Sequence, residues 1–230
     1  MNTKSSPVIA IDGPSGAGKG TICRLLAKSL GYHYLDSGAL YRLLGLAAKR
    51  HGIALDCEED LEVLAGHIDV TFVTSTDGLR VKVILEGEDV SRDIRTEDAG
   101  TSASQIAAFP GVRQALLARQ RAFAREPGLV ADGRDMGTVV FQHASVKIFL
   151  TASQEVRAQR RYNELIDKGE SVSLAALVEQ VRDRDYRDAN RDVSPLVPAE
   201  NAIIIDTSDM NIDEVFAKVS TVVRQALATD

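Results

Sequence analysis

Residues 13–21 read Gly-Pro-Ser-Gly-Ala-Gly-Lys-Gly-Thr. Gly13, Gly18 and Lys19 fit the G-x-x-x-x-G-K spacing of a phosphate-binding loop. Glycines at that spacing let the backbone curl so that consecutive N–H groups point inward at phosphate oxygens. The start of a following helix adds the positive end of its dipole. Lys19 supplies a mobile point charge for the outer phosphates. The whole loop (Gly13, Pro14, Ser15, Gly16, Ala17, Gly18, Lys19, Gly20 and Thr21) is therefore the candidate triphosphate site. In the general pattern a Ser or Thr follows the lysine directly and meets magnesium. Here Gly20 takes that place, so Thr21, one position later, is the candidate magnesium contact.

Other charged groups stand where strands and helices should end. Asp36-Ser-Gly-Ala-Leu-Tyr-Arg, 36–42, puts Ser37 at a helix start and Arg42 further along, able to grip one phosphate. Asp132-Gly-Arg-Asp, 132–135, gathers two carboxylates and Arg134 at a strand end. Charges left at the carboxyl end of a parallel sheet usually serve a ligand. Arg184, Asp188 and Arg191 are four and three apart and share one helix face. Arg157, Arg160 and Arg161 share another. By spacing alone the first face is equally a solvated charge ladder, and for the second that bland reading is the stronger.

The elements that must position these groups can be read from periodicity. An apolar run at 7–12 precedes the loop, and apolar residues at helical spacing follow it to Leu30, with Gly31 as a stop. A second strand is expected at 32–36, then a helix over 38–50 capped by Ser37, and another over 58–66. Residues 69–75 and 79–85 alternate in period two around Thr76-Asp77-Gly78, the pattern of an antiparallel hairpin. A short strand is expected at 88–90. Helices follow at 96–108 and 111–125, strands at 128–132 and 146–150, and helices at 153–168 and 173–190. A strand at 202–206 and a helix at 212–228 close the chain. Strands alternating with helices imply an α/β fold with a mostly parallel five-stranded sheet flanked by helices. The antiparallel stretch reads as an insertion, placed at 38–105.

Composition excludes several classes. The 230 residues are 44% hydrophobic and 26% charged, enough for a globular core. A net charge of −6 argues against a general nucleic-acid surface. Cys23 and Cys57 form no metal-binding or disulfide pattern. No signal peptide is visible at 1–7 and no apolar stretch approaches membrane-spanning length, so a soluble cytoplasmic protein is expected. Arginine outnumbers lysine 19 to 8, which suits bidentate recognition of phosphate.

Read in order, IDGPSGAGKGT, LDSGALYR, ILEGEDVSRDIRT, DGRDMGTVVF and DRDYRDANRDVSPL resemble the bacterial-type cytidylate kinases over essentially the whole chain. The G-K-G-T ending is similar to that of nucleoside monophosphate kinases generally. The resemblance implies a core domain (1–37, 106–156, 169–230), an NMP-binding insertion (38–105) and a short lid (157–168). It implies Mg²⁺-dependent transfer from ATP to CMP or dCMP, in pyrimidine nucleotide metabolism, by a monomer without nucleic-acid or membrane partners. Arg42, Arg134 and Arg191 would hold the CMP phosphate, with Ser37 and Tyr41 beside it. Ser104, Arg113 and Asp135 would read the cytosine edge, where an amine donor and ring acceptors need both a carboxylate and a donor. Arg184 and Asp188 would hold the ribose, and Asp132 would line the same site. Arg157 and Arg161 would contact ATP, while Lys19, Arg134 and Arg160 would neutralise the transferring phosphoryl. Rival readings are a related kinase for UMP, AMP or dephospho-coenzyme A, and a nucleotide-dependent switch with no acceptor.

Overall fold

The structure, a computed structural model, describes residues 6–74, 81–167 and 169–228. The chain divides into two compact units, one formed by residues 1–34 and 126–230 and the other by 35–125.

In the first unit the apolar run becomes β1 (Val8–Asp12), buried at every residue. A strand covered on both faces reads as an unbroken apolar run rather than an alternation. The loop follows and passes into α1 (Lys19–Leu30), which buries Ile22, Cys23, Leu26 and Ala27. Gly31, in the left-handed region, ends the helix. The later strands are β6 (Leu129–Gly133), β7 (Val146–Thr151) and β8 (Ile203–Asp206); β2 (His33–Asp36) comes earlier in the chain, after α1. The sheet order is β2-β6-β1-β7-β8, with β1 parallel to β6 and β7, and β7 parallel to β8. The register sets Asp12 opposite Gly133, so the loop after β1 and the segment after β6 leave the sheet at the same level. Ile9, Ile11, Leu26, Val130, Ile148 and Val219 anchor the core. Each such side chain contributes about 1.5–3 kcal/mol of burial.

Two helices, α6 (Gln154–Asp167) and α7 (Leu174–Ala189), pack on each other through a small cluster of their own, Ala158, Leu165 and Leu177. The closing α8 (Ile212–Leu227) begins with a full capping box. Asn211 accepts from the Glu214 N–H at 3.0 Å, and Glu214 accepts from the Asn211 N–H at 2.8 Å.

The second unit holds α2 (Ser37–Arg50), α3 (Glu58–His67), α4 (Glu97–Ile106) and α5 (Pro110–Arg121). It also holds an antiparallel sheet of β3 (Val70–Thr74), β4 (Val81–Leu85) and β5 (Glu88–Asp89), in that order. The expected hairpin is present, with Phe72 opposite Val83; its turn at 75–80 lies outside the described residues, as does Lys168. Helices α4 and α5 belong to this unit, which runs to Arg125. The cap of α2 is Asp36, whose carboxylate accepts from the Ala39 N–H at 3.0 Å, and Ser37 is the first helical residue. Two short segments had no sequence signal: a 3₁₀ turn at Asp93–Arg95 and a π-helical turn at Met136–Val140. Among the described residues no helix is long and apolar enough to cross a membrane.

The capping box gives a stability prediction. Asn211→Ala removes the side-chain acceptor at the start of α8 and should cost about 1 kcal/mol. A denaturant midpoint unchanged from wild type would contradict it.

Candidate active site

The loop after β1 is shaped by a steric demand at its first residue. Gly13 has φ of 146°, and a Cβ there would lie 1.9 Å from the Leu150 carbonyl oxygen on β7. No side chain fits. Lys19 opens α1 and is buried, its ammonium donating to the Pro14 carbonyl at 2.8 Å. Thr21 stands half-buried in the first turn of α1.

The segment after β6 is held against β1 by a residue that the site reading did not include. Asp12, the last residue of β1, is buried, and its two oxygens accept from the N–H groups of Met136 and Gly137, each at 2.8 Å. Both amides open the π-helical turn directly after Arg134 and Asp135. The one sequence signal for Asp12 is a carboxylate ending an otherwise apolar strand. Burial pushes Asp12 up to about 7, against the pull of those two amides and with a push from Asp135. Burial also lowers Lys19 to about 8; Arg134 adds to that fall, while Asp132, Cys23 and Asp12 oppose it. Lys19 and Arg134 thus stand in each other's field. Two cations in each other's field, Lys19 buried and Arg134 largely so, are relieved by an anion.

Arg134 is itself fixed. Its Nε donates to the Asp188 carboxylate at 2.6 Å, and both side chains are largely buried. Burial raises the Asp188 pKa, but the charge and hydrogen bond of Arg134, with the charges of Arg191 and Arg184, outweigh it and hold the carboxyl below its ordinary value. The four residues therefore form one cluster. Arg191 also donates to the Ser194 carbonyl at 2.9 Å. Asp132 accepts from the Tyr34 hydroxyl at 3.4 Å, and Asp135 is buried nearby in the sequence. On α6, Arg161 pairs with Glu164 at 2.7 Å, and Arg160 donates to the Thr207 hydroxyl and carbonyl at 3.1 and 2.6 Å. Arg157 is buried among carbonyls and the Asp185 carboxylate.

The second unit gathers a different set. Arg113 is buried, donates to the Ala107 carbonyl at 2.9 Å, and sets its guanidinium 5.7 Å from the Tyr41 ring centre. Ser104, on α4, is buried, and its hydroxyl has no hydrogen-bond partner among the described residues. A buried hydroxyl left in that state costs about 1–3 kcal/mol unless a ligand satisfies it. Arg42 donates to the Ile94 carbonyl at 2.9 Å. Ser37 is buried and donates to the Gln120 side-chain carbonyl at 2.7 Å. The core unit thus assembles Lys19, Asp132, Arg134, Asp135, Arg184, Asp188 and Arg191. The second unit assembles Tyr41, Ser104 and Arg113 on facing elements, with Ser37 and Arg42 along α2.

Among the described residues no group of three His, Cys, Asp or Glu side chains could hold a metal ion. Magnesium fits such a site when substrate phosphates and water supply most of its ligands. Thr21 and Asp132 carry oxygens of the hard kind that this requires, and the Asp132 carboxylate lies beside the loop, 3.4 Å from where a Cβ on Gly20 would stand.

Strand, glycine-rich loop, helix and a buried lysine, on a parallel sheet with arginines at its carboxyl end, define a P-loop phosphotransferase. The chain belongs to the cytidylate kinase family, whose model matches residues 9–225. It is 59% identical over 225 residues to the cytidylate kinase of Shewanella frigidimarina, covering 98% of each chain. It is 57% identical over 225 residues to that of Shewanella halifaxensis, again covering 98% of each.

The buried carboxylate predicts a pH effect. Between about 4 and 7 the folded chain keeps on Asp12 a proton that the unfolded chain releases. Stability from this group therefore falls as pH rises through that window. Asp12→Asn does not titrate, so its melting temperature minus that of wild type should climb from pH 4 to 7. A flat difference across the window counts against the assignment.

Proposed function

We propose that this chain transfers the γ-phosphoryl group of ATP to CMP or dCMP, giving ADP and CDP or dCDP. The observation that carries the reading is the placing of Lys19 and the Arg134 cluster in one unit, a buried ammonium and a largely buried guanidinium within each other's field beside a phosphate loop. Membership of the cytidylate kinase family supports the acceptor.

Phosphoryl transfer asks the protein for alignment and charge neutralisation more than covalent help. The loop amides from 13 to 21 and Lys19 would hold the triphosphate. Arg160 and Arg161 would face the transferring group from α6, with residues 157–168 acting as a lid. Arg134, Arg191 and Arg42 would hold the acceptor phosphate, with Ser37 and Tyr41 beside it. Asp188 and Arg184 would take the sugar hydroxyls. Ser104, Arg113 and Asp135 would read cytosine. The unsatisfied Ser104 hydroxyl favours this, because a base edge would give it the partner it lacks. Bound magnesium, with Thr21 and Asp132 as candidate donors, would spread charge from the phosphates. The acceptor phosphate is already anionic near neutral pH, so attack needs no general base. Uracil carries a carbonyl where cytosine carries the amine, which would set acceptor against acceptor at Asp135. A mismatch of that kind discriminates strongly. The expectation of a cytoplasmic monomer stays part of this proposal.

A panel of acceptors tests it: ADP release from ATP with CMP, dCMP, UMP, AMP or none. CMP and dCMP should be the favoured acceptors. ADP release indifferent to the acceptor would defeat the kinase reading, and UMP equal to CMP would defeat the specificity.

Arg134→Ala should lower kcat/KM for CMP by about 100-fold or more, since it removes charge stabilisation in the transition state. Activity within twofold of wild type would remove Arg134 from the mechanism.

A further inference from the structure

The phosphate loop turns its N–H groups inward only if its carbonyls are directed outward. A trans peptide points its C=O and the next N–H in opposite directions. Holding the Ser15 carbonyl therefore aims the Gly16 N–H, and holding the Ala17 carbonyl aims the Gly18 N–H. Both carbonyls are held by side chains from outside the loop.

Arg157 holds the first. It is 3% exposed, so its guanidinium is not presented to solvent. Its Nε donates to the Ala152 carbonyl at 2.9 Å and its Nη1 to the Ser15 carbonyl at 3.0 Å. The same guanidinium forks onto the Asp185 carboxylate, through Nη1 at 2.9 Å and through Nη2. Gln154 donates to Asp185 at 3.2 Å. The stem of Arg157 presses on the loop as well: a Cβ on Gly16, where φ is 81°, would lie 3.0 Å from the Arg157 Cβ. Thr207, 1% exposed, touches the second carbonyl more loosely, its hydroxyl 3.4 Å from the Ala17 oxygen and 3.0 Å from that of Thr151.

We propose that Asp185 and Arg157 form a clasp that sets the phosphate loop from behind, making both positioning residues for ATP that never touch it. The direct ATP contact expected at Arg157 becomes an indirect one. Every hydrogen-bonding nitrogen of Arg157 is spent on protein oxygens, and the group it aims, the Gly16 amide, faces the phosphates. Asp185 lies on α7 among the acceptor residues Arg184 and Asp188, so one helix carries both acceptor contacts and the brace of the donor loop. The inference rests on the reading of the loop as an ATP site.

The test uses the full chain with Arg157→Lys and Asp185→Asn. The readouts are the ATP dissociation constant by calorimetry without acceptor, KM for ATP and for CMP, and the melting temperature. Lysine keeps the charge but has one ammonium, which cannot reach Ala152, Ser15 and Asp185 together. Both variants should weaken ATP binding by about tenfold or more, the scale of a misplaced binding group, while KM for CMP stays within about twofold. Should Arg157→Lys fail to fold, Asp185→Asn decides alone: it keeps Arg157 but breaks the fork that fixes its guanidinium under Ser15, so ATP affinity within about twofold of wild type in this variant would overturn the clasp. ATP binding close to wild type in Arg157→Lys would mean that charge alone matters and would overturn the clasp. So would a lowered melting temperature with unchanged ATP affinity. Failure of the wild type to phosphorylate CMP while binding ATP would defeat the acceptor assignment and leave the calorimetric comparison standing.

Discussion

A peptide loop can present a ring of amides to a phosphate only if its carbonyls are satisfied on the opposite side. The phosphate loop is built around that constraint. Gly13 passes so close to β7 that a methyl group would strike the Leu150 carbonyl. The Ser15 carbonyl is taken by Arg157 and that of Pro14 by Lys19. The loop is thus clamped between a strand, a helix and its own lysine, and its amides have one direction left. The organisation costs little at the moment of binding because it was completed during folding, the general advantage of a preorganised electrostatic site.

The charges around the loop follow a second constraint, that burying an ion demands a partner. Lys19 and Arg134 share the core site with Asp12, Asp132 and Asp188. Asp188 stays ionised because three arginines answer its burial. On Asp12 the two amides and Lys19 do not offset burial, to which Asp135 adds, and burial prevails. Two buried carboxylates of one unit therefore behave differently, and the difference is that Asp188 has a direct ion pair with Arg134 while Asp12 accepts from neutral amides.

The sequence made much of this legible, and unevenly so. The phosphate loop was readable because its glycines, lysine and flanking elements are local and their spacing is the mechanism. The strands and helices emerged because buried parallel strands and amphipathic helices have distinct periods. The antiparallel hairpin stood out as an alternation inside an otherwise parallel pattern. Asp185, Thr207 and Gln120 were not legible, since each acts through a contact with residues distant in the chain, and their types are ordinary for a helix or a loop. The cap of α2 was misassigned by one residue because Asp36 and Ser37 are both good caps and only the backbone turn decides between them. The π-helical turn at Met136–Val140 left no trace either; it exists because Asp12 pulls two successive amides toward itself.

The α6–α7 pair has a consequence of its own. Its own buried core is Ala158, Leu165 and Leu177, with Tyr162, Val172, Val178 and Val181 partly buried against it, beside a much larger cluster that includes Ile9 and Ile11 of β1. Elements with a smaller buried core open at a lower free energy than a central sheet does. Arg157 and Asp185 stand on these two helices. Thermodynamic linkage is reciprocal: whatever favours the ordered loop favours the closed helix pair by the same amount. On the clasp proposed above, filling of the phosphate loop and closure of α6 on α7 would be one equilibrium, so amide protection of these two helices would report whether the loop is filled.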